Sequence, residues 1–166
     1  LIVKQKNNFD SRGNLREIFN NKILKKKFIF EYCTTSKKNV LRGFHFQTKF
    51  KQSKYVNVVK GKILDVVIDL RKNSKTFGKS FKIILSKKNA LGLFIPSGFA
   101  HAYYSYEKEN IIYYKLDNYY APNYENGIIY SDKYIRINWP RKNMVVSNKD
   151  KKLQSFKEFE QKFKGL

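Results

Sequence analysis

Cysteine occurs once in this chain of 166 residues, at Cys33, and histidine only twice, at His45 and His101. A lone cysteine excludes an internal disulfide and suits a reducing cytoplasm, the expected location. Long apolar runs are missing too. None approaches the ~20 residues that span a bilayer, and Leu1-Ile2-Val3 before Lys4 is too short for a signal-peptide core. A soluble protein without a membrane partner is expected. No internal repeat, low-complexity linker or break in composition marks a boundary, so one domain over residues 1–166 is expected. Acidic residues are few, 13 against 35 lysines and arginines, for a net charge of +22. A nucleic-acid partner is nevertheless not expected. The excess is nearly all lysine spread from Lys4 to Lys164, whereas nucleic-acid readers cluster arginine and lysine on one element. The positive field still favours an anionic small substrate.

Several familiar site types are also absent. There is no Gly-rich phosphate loop ending in Gly-Lys-Ser/Thr, no G-x-G-x-x-G after a strand and no G-x-S-x-G nucleophile elbow. What the chain does contain, from Lys54 onward, is a series of short segments rich in β-branched and aromatic residues. Tyr55–Val59, Ile63–Leu70, Phe81–Leu85, Leu91–Ile95, Ala102–Tyr106 and Ile111–Lys115 recur about every 8 to 12 residues, the spacing of an all-β sandwich or barrel. Lys60-Gly61 and Glu107-Lys108-Glu109 supply turns. Helices are few. Phe156, Phe159 and Phe163 fall on one helical face and predict a short amphipathic helix packed on the barrel exterior, and weak helical character runs through Glu17–Lys27.

The two histidines close the stretches Leu41-Arg42-Gly43-Phe44-His45-Phe46-Gln47 and Ile95-Pro96-Ser97-Gly98-Phe99-Ala100-His101. Histidine moves protons at neutral pH more readily than any other side chain. Either one alone is as well read as a hydrogen-bonded structural residue, and the two stand too far apart in the chain to suggest a closely spaced metal-ligand pair, so no metal is expected. A histidine beside an arginine, lysines for negative charge and a tyrosine-dense strand ending Tyr113-Tyr114 suit proton abstraction next to a carbonyl. The base takes the proton, a cation or donor steadies the enolate, and a tyrosine on the opposite face returns a proton. Spacing alone does not single out Tyr114 among 12 tyrosines.

A set of ordered segments sharpens this reading: Asp10-Ser11-Arg12-Gly13, Ser36-Lys37-Lys38-Asn39-Val40-Leu41-Arg42-Gly43-Phe44-His45-Phe46-Gln47, Asp65-Val66-Val67-Ile68-Asp69-Leu70-Arg71, Ser74-Lys75-Thr76-Phe77-Gly78, Ile95–His101, Tyr119-Tyr120-Ala121-Pro122 and Asn138-Trp139-Pro140. From about residue 10 to 155 the chain resembles the dTDP-4-dehydrorhamnose 3,5-epimerases. The resemblance implies an all-β, cupin-type jelly roll with a few short helices, its core at roughly 28–140 and a C-terminal helical extension at 147–166. It implies a nucleotide-sugar substrate, a homodimer, and neither a metal nor an organic cofactor. By resemblance His45 matches the base, Asp150 the carboxylate that orients it, and Tyr114 the acid on the other face. Lys54 and His101 match polar groups around the ketone and sugar, Arg42 a contact to the anionic nucleotide, and Glu125 and Lys149 further binding positions. Arg12 and Glu17 match nucleobase and phosphate contacts supplied across the dimer.

The chain departs from that pattern in two places. Phe30-Glu31-Tyr32 stands where the family shows a polar Gln-x-Asn segment, and Asn14-Leu15-Arg16 alters the segment after Arg12-Gly13. A related epimerase acting at one carbon of another sugar nucleotide, such as a GDP-linked 4-keto-heptose, is therefore an alternative. A 3,4-ketoisomerase on the same fold would carry a His-x-His core that Phe44-His45-Phe46-Gln47 lacks. A non-catalytic sugar-nucleotide-binding module would lack the base or the acid.

Overall fold

The computed structural model describes residues 1–166. Thirteen strands and two α-helices follow one another along the chain: β1 (Ile2–Lys4), β2 (Asn7–Asp10), β3 (Gly13–Arg16), α1 (Asn21–Leu24), β4 (Phe30–Lys37), β5 (Val40–Gln47), β6 (Lys54–Lys60), β7 (Lys62–Asp69), β8 (Ser80–Ser86), β9 (Leu91–Ile95), β10 (Phe99–Ser105), β11 (Glu109–Leu116), β12 (Glu125–Gly127), β13 (Val145–Val146) and α2 (Phe156–Phe163). All six segments expected from Lys54 onward are strands. β4 and β5 are additional. Their inward-facing positions carry Thr34, Ser36, His45 and Gln47, so the apolar alternation that marks a half-buried strand is interrupted there.

Strands β1-β9-β6-β11-β4 form one sheet and β12-β5-β10-β7-β8 the other, with β13 joining β5 in parallel. The paired order is otherwise antiparallel, and the two sheets face each other as a jelly roll. Strand period decides what each face carries. Val56, Val58, Ile63, Val67, Leu93, Ile112 and Leu116 point between the sheets and form a dry core there. The alternate residues of β5, β7 and β10, among them Phe44, Phe46, Val66, Ile68, Ala100 and Ala102, point outward into a second core.

That outer core is what α2 covers. Ser155 and Glu158 cap its start reciprocally, Lys164 ends it in the left-handed region, and Phe156 and Phe159 are buried. Phe159 meets Phe46 edge-on at 5.3 Å. Each buried phenylalanine contributes about 1.5 to 3 kcal/mol through area removed from water, so the helix seats firmly on the barrel exterior, as its apolar face predicts. The weak helical signal at 17–27 becomes a single turn. Asn20 caps it, Lys25 terminates it, and none of its residues is buried, so nothing sustains a longer helix.

Gly43 in β5 fixes how closely that strand approaches β10. Its φ is +108°, and a Cβ there would stand 2.4 Å from the His101 carbonyl oxygen and 2.8 Å from the Ala102 Cα. Any side chain would push apart the two strands that carry the histidines.

Candidate active site

Inward positions of six strands, β4, β5, β6, β7, β10 and β11, supply the polar groups of the lumen. His45 on β5 pairs in register with His101 on β10, so both rings enter the same space from the same sheet. Each histidine has its own carboxylate. His45 Nε2 lies 2.7 Å from Asp150 Oδ1. Asp150 opens a short 3-10 turn, is 3% exposed, and is held from three sides: the Gly43 N–H donates to its Oδ2 at 3.1 Å, the ring meets Oδ1, and its own N–H donates to Ser147 Oγ at 3.0 Å. Burial pushes this carboxyl up, but the hydrogen bonds and charge of His45, with the Gly43 N–H and Ser147, outweigh it and hold the group below its usual range. It is therefore a carboxylate at neutral pH, and it stabilises positive charge on His45.

The second pair is deeper. His101 Nε2 lies 2.8 Å from Asp65 Oδ2, and Asp65 on β7 is fully buried. Its Oδ1 is buried with no hydrogen-bond partner within the protein. Asp65 stands in the Asp65–Arg71 motif, but no feature of the sequence distinguishes its role from that of Asp69. Asp69 faces the loop after β7, where it binds Arg71, Ser74 and Thr76.

From the opposite sheet come Lys54 on β6, Tyr114 on β11 and Tyr32 on β4. Tyr114 is 3% exposed. Burial first, then the neighbouring Tyr103, Tyr32 and Asp65, push its hydroxyl well above the usual phenol value against a smaller opposing effect of Thr34, so this phenol holds its proton firmly until a strong base faces it. The Lys54 ammonium is desolvated although the residue as a whole is only partly buried. Desolvation brings its pKa down to about 8, against Glu125 and Asp65, which favour the charged form.

Of these groups Tyr32, His45 and Lys54 line a cavity of about 80 Å³, together with Gln47, Gln52, Tyr120 and Glu125. Larger surface hollows exist, but neither histidine lines them. At the mouth Glu125 on β12 accepts from the Tyr120 hydroxyl at 2.8 Å and from the Lys149 ammonium. Burial raises the Glu125 carboxyl, but Lys149, Tyr120 and His45 together bring it below its ordinary value, and Glu125 in turn raises Lys149. His45, Lys54 and Glu125 thus line one space, Asp150 and Lys149 bind two of them, and Tyr114 packs between His101 and the cavity-lining Tyr32. Arg42 sits aside from the cavity walls, donating from Nε to Ser36 Oγ at 3.1 Å, and Ser36 in turn bonds the Tyr103 hydroxyl. Arg12 and Glu17 are not brought to the cavity. Arg12 extends from the β2–β3 hairpin into solvent and pairs with Asp10, while Glu17 is exposed and accepts from Asn20. Gln47, Gln52, Tyr32 and Tyr120 line the cavity although the sequence assigned none of them a site role. Only the register of the strands and the return of the 117–125 loop place them there.

A jelly roll whose lumen holds two histidine–carboxylate pairs on one wall and a proton-retaining tyrosine on the other defines a cupin-type protein equipped for proton transfer. Comparison with known proteins makes this more specific. Residues 1–158 match the family model described as dTDP-4-dehydrorhamnose 3,5-epimerase. The chain is 40% identical over 163 residues to the dTDP-4-dehydrorhamnose 3,5-epimerase of Shigella flexneri, covering 94% of this chain and 90% of that one. It is 37% identical to the enzyme of Methanothermobacter thermautotrophicus over 95% of this chain and 90% of the relative. Among solved structures, that of the Bacillus anthracis enzyme with TDP and PPi bound superposes with a TM-score of 0.89 at 34% identity, covering 93% of this chain and 92% of that one. The Legionella pneumophila enzyme in complex with dTDP-4-keto-L-rhamnose gives a TM-score of 0.89 at 35% identity, covering 93% and 86%. The chain belongs to the dTDP-4-dehydrorhamnose 3,5-epimerase family, and it is an isomerase of the epimerase type.

Proposed function

We propose that the protein inverts C3 and C5 of a dTDP-linked 4-keto-6-deoxyhexose in deoxysugar biosynthesis, with His45 as the base and Tyr114 as the acid. The observation that carries this reading is the placement of the carboxylate-backed His45 and the protonated Tyr114 on opposite sheets of one lumen. The C4 ketone acidifies the C–H bonds on either side of it. His45 Nδ1, the ring nitrogen that Asp150 does not engage, takes the proton, the C–H electron pair becomes the C=C bond of an enolate, and the carbonyl π pair moves onto oxygen. Asp150 stabilises the imidazolium that forms. Lys54 and His101 face the developing oxyanion as cation and donor. The enolate then takes the Tyr114 proton on its other face, which inverts the carbon, and both side chains re-equilibrate with solvent. Solvent deuterium incorporation into dTDP-4-keto-6-deoxyglucose, followed by NMR, tests this reading: label at C3 and C5 with inversion is expected. Label at one carbon would replace it with single-site action, and no label with any 4-keto nucleotide sugar would sink it.

The remaining assignments are part of the same proposal. Arg42 helps hold the anionic nucleotide, aided by the overall positive field, and Glu125 and Lys149 are further binding positions. Arg12 and Glu17, carried on the exposed N-terminal segment, serve the cavity of a second copy in a homodimer. No helix is long and apolar enough to cross a membrane, and a cytoplasmic location is proposed.

The desolvated Lys54 imposes opposite signs on activity and stability. As pH rises through about 8 the ammonium loses its proton and the oxyanion loses a cation, so turnover is expected to fall on the alkaline side. Stability moves the other way. The unfolded chain still binds this proton up to the ordinary lysine value of 10.5, so between these two limits the unfolded state holds more protons than the folded state and folding is favoured as pH rises. Lys54→Met is expected to flatten both slopes. The check is a pH–rate profile beside denaturant midpoints taken at about pH 7.5 and about pH 9.5.

A further inference from the structure

Tyr32 on β4 and Tyr114 on β11 are partners in the strand register. Both side chains enter the lumen, where their rings stack with centroids 4.7 Å apart and planes 25° apart. The other side of Tyr114 meets the His101 ring edge-on at 6.1 Å. Tyr32 is itself braced: Phe30 lies against it at 5.7 Å, and Tyr119 lies against Phe30 at 6.0 Å. An aromatic run thus leads from the exposed 117–125 loop to the buried Tyr114. Tyr32 also lines the cavity, so the stack ties Tyr114 to the cavity wall.

A proton donor on a side chain with two rotatable bonds delivers its proton only when the ring is held still, because misplacement by about an ångström costs orders of magnitude. Stacked aromatic rings in this geometry supply such a restraint. We propose that Tyr32 is the positioning residue for Tyr114: its stacked ring fixes the aim of the Tyr114 hydroxyl and so sets how often a carbon deprotonated by His45 is reprotonated on the opposite face rather than on the same one. This inference rests on the assignment of His45 and Tyr114 as base and acid. The contact is made through the ring, so the Tyr32 hydroxyl is dispensable for it.

The test is the ratio of inverted product to substrate labelled with retained configuration, read by NMR in deuterium oxide with dTDP-4-keto-6-deoxyglucose. Tyr32→Phe keeps the stack and is expected to keep the ratio within about twofold. Tyr32→Ala is expected to lower it by about three- to tenfold, the size that loss of one aromatic stack corresponds to, while total exchange persists. Tyr32→Leu fills the space without stacking and is expected to show the same drop, which separates the effect from a collapsed cavity. A merely structural role would lower exchange and inversion together. An unchanged ratio in both Tyr32→Ala and Tyr32→Leu would overturn the inference while leaving the epimerase reading intact, as would a loss in Tyr32→Phe equal to that in Tyr32→Ala. Wild-type protein that exchanges no deuterium at all would remove the epimerase reading and this inference with it.

Discussion

His45→Asn is expected to abolish deuterium incorporation at both C3 and C5, with total exchange falling by about 10² to 10⁴-fold, the range a positioned general base supplies. Asparagine is smaller and its amide stops short of the place of Nε2, so the link to Asp150 is lost as well, but the Gly43 contact to that carboxylate comes from the backbone and persists with the fold. What is lost is a group that can carry the proton. Both carbons flank the same ketone and face the same histidine, so both exchanges disappear together. The measurement is an NMR time course of the substrate in deuterium oxide, beside a thermal melt. Exchange surviving at one carbon would assign that carbon to a different base. Asp150→Asn bears on the same pair: it leaves the ring near its place but removes the negative charge that steadies the imidazolium, so a smaller loss at both carbons is expected.

Tyr114→Phe separates the two half-reactions. His45 is untouched, so deprotonation continues, and a proton that returns from the imidazolium, after exchange with solvent, goes back to the face it left. The substrate therefore gains deuterium with its configuration retained, while formation of the inverted sugar falls by about 10²-fold or more. Phenylalanine preserves the ring that stacks on Tyr32 and meets the edge of His101, so the loss is of the hydroxyl alone. NMR reads both quantities in one experiment. Equal loss of exchange and inversion would remove Tyr114 from the acid's role.

The strands from Tyr55 to Lys115 are legible in the sequence because their signal is local: β-branched and aromatic residues alternate with polar ones and turns follow at regular intervals. The amphipathic helix is legible for the same reason, since Phe156 and Phe159 lie within one turn of each other. β4 and β5 are hidden by their own function. Their lumen-facing Thr34 and Ser36 bond the Tyr103 hydroxyl, and His45 and Gln47 line the cavity, so they read as polar positions instead of a core. Asp150 is hidden by distance. It lies 105 positions beyond His45 in a lysine-rich stretch, and nothing local separates it from an ordinary surface acid except resemblance to a family.

The sequence by itself determined the all-β architecture, the family, and the short set of residues able to carry proton chemistry, because propensity, periodicity and ordered motifs are written residue by residue. Tertiary structure alone decided the partnerships. Sheet register brings His45 level with His101 and Tyr32 level with Tyr114, the approach of β5 to β10 at Gly43 aims a backbone N–H at Asp150, and desolvation within the lumen turns Lys54 into a group that titrates near 8. It also separates the two histidines, giving His45 a carboxylate beside the cavity and His101 one that is fully buried, and it leaves Arg12 and Glu17 in solvent. Each of these depends on which distant segments share one space, and on how much water that space excludes.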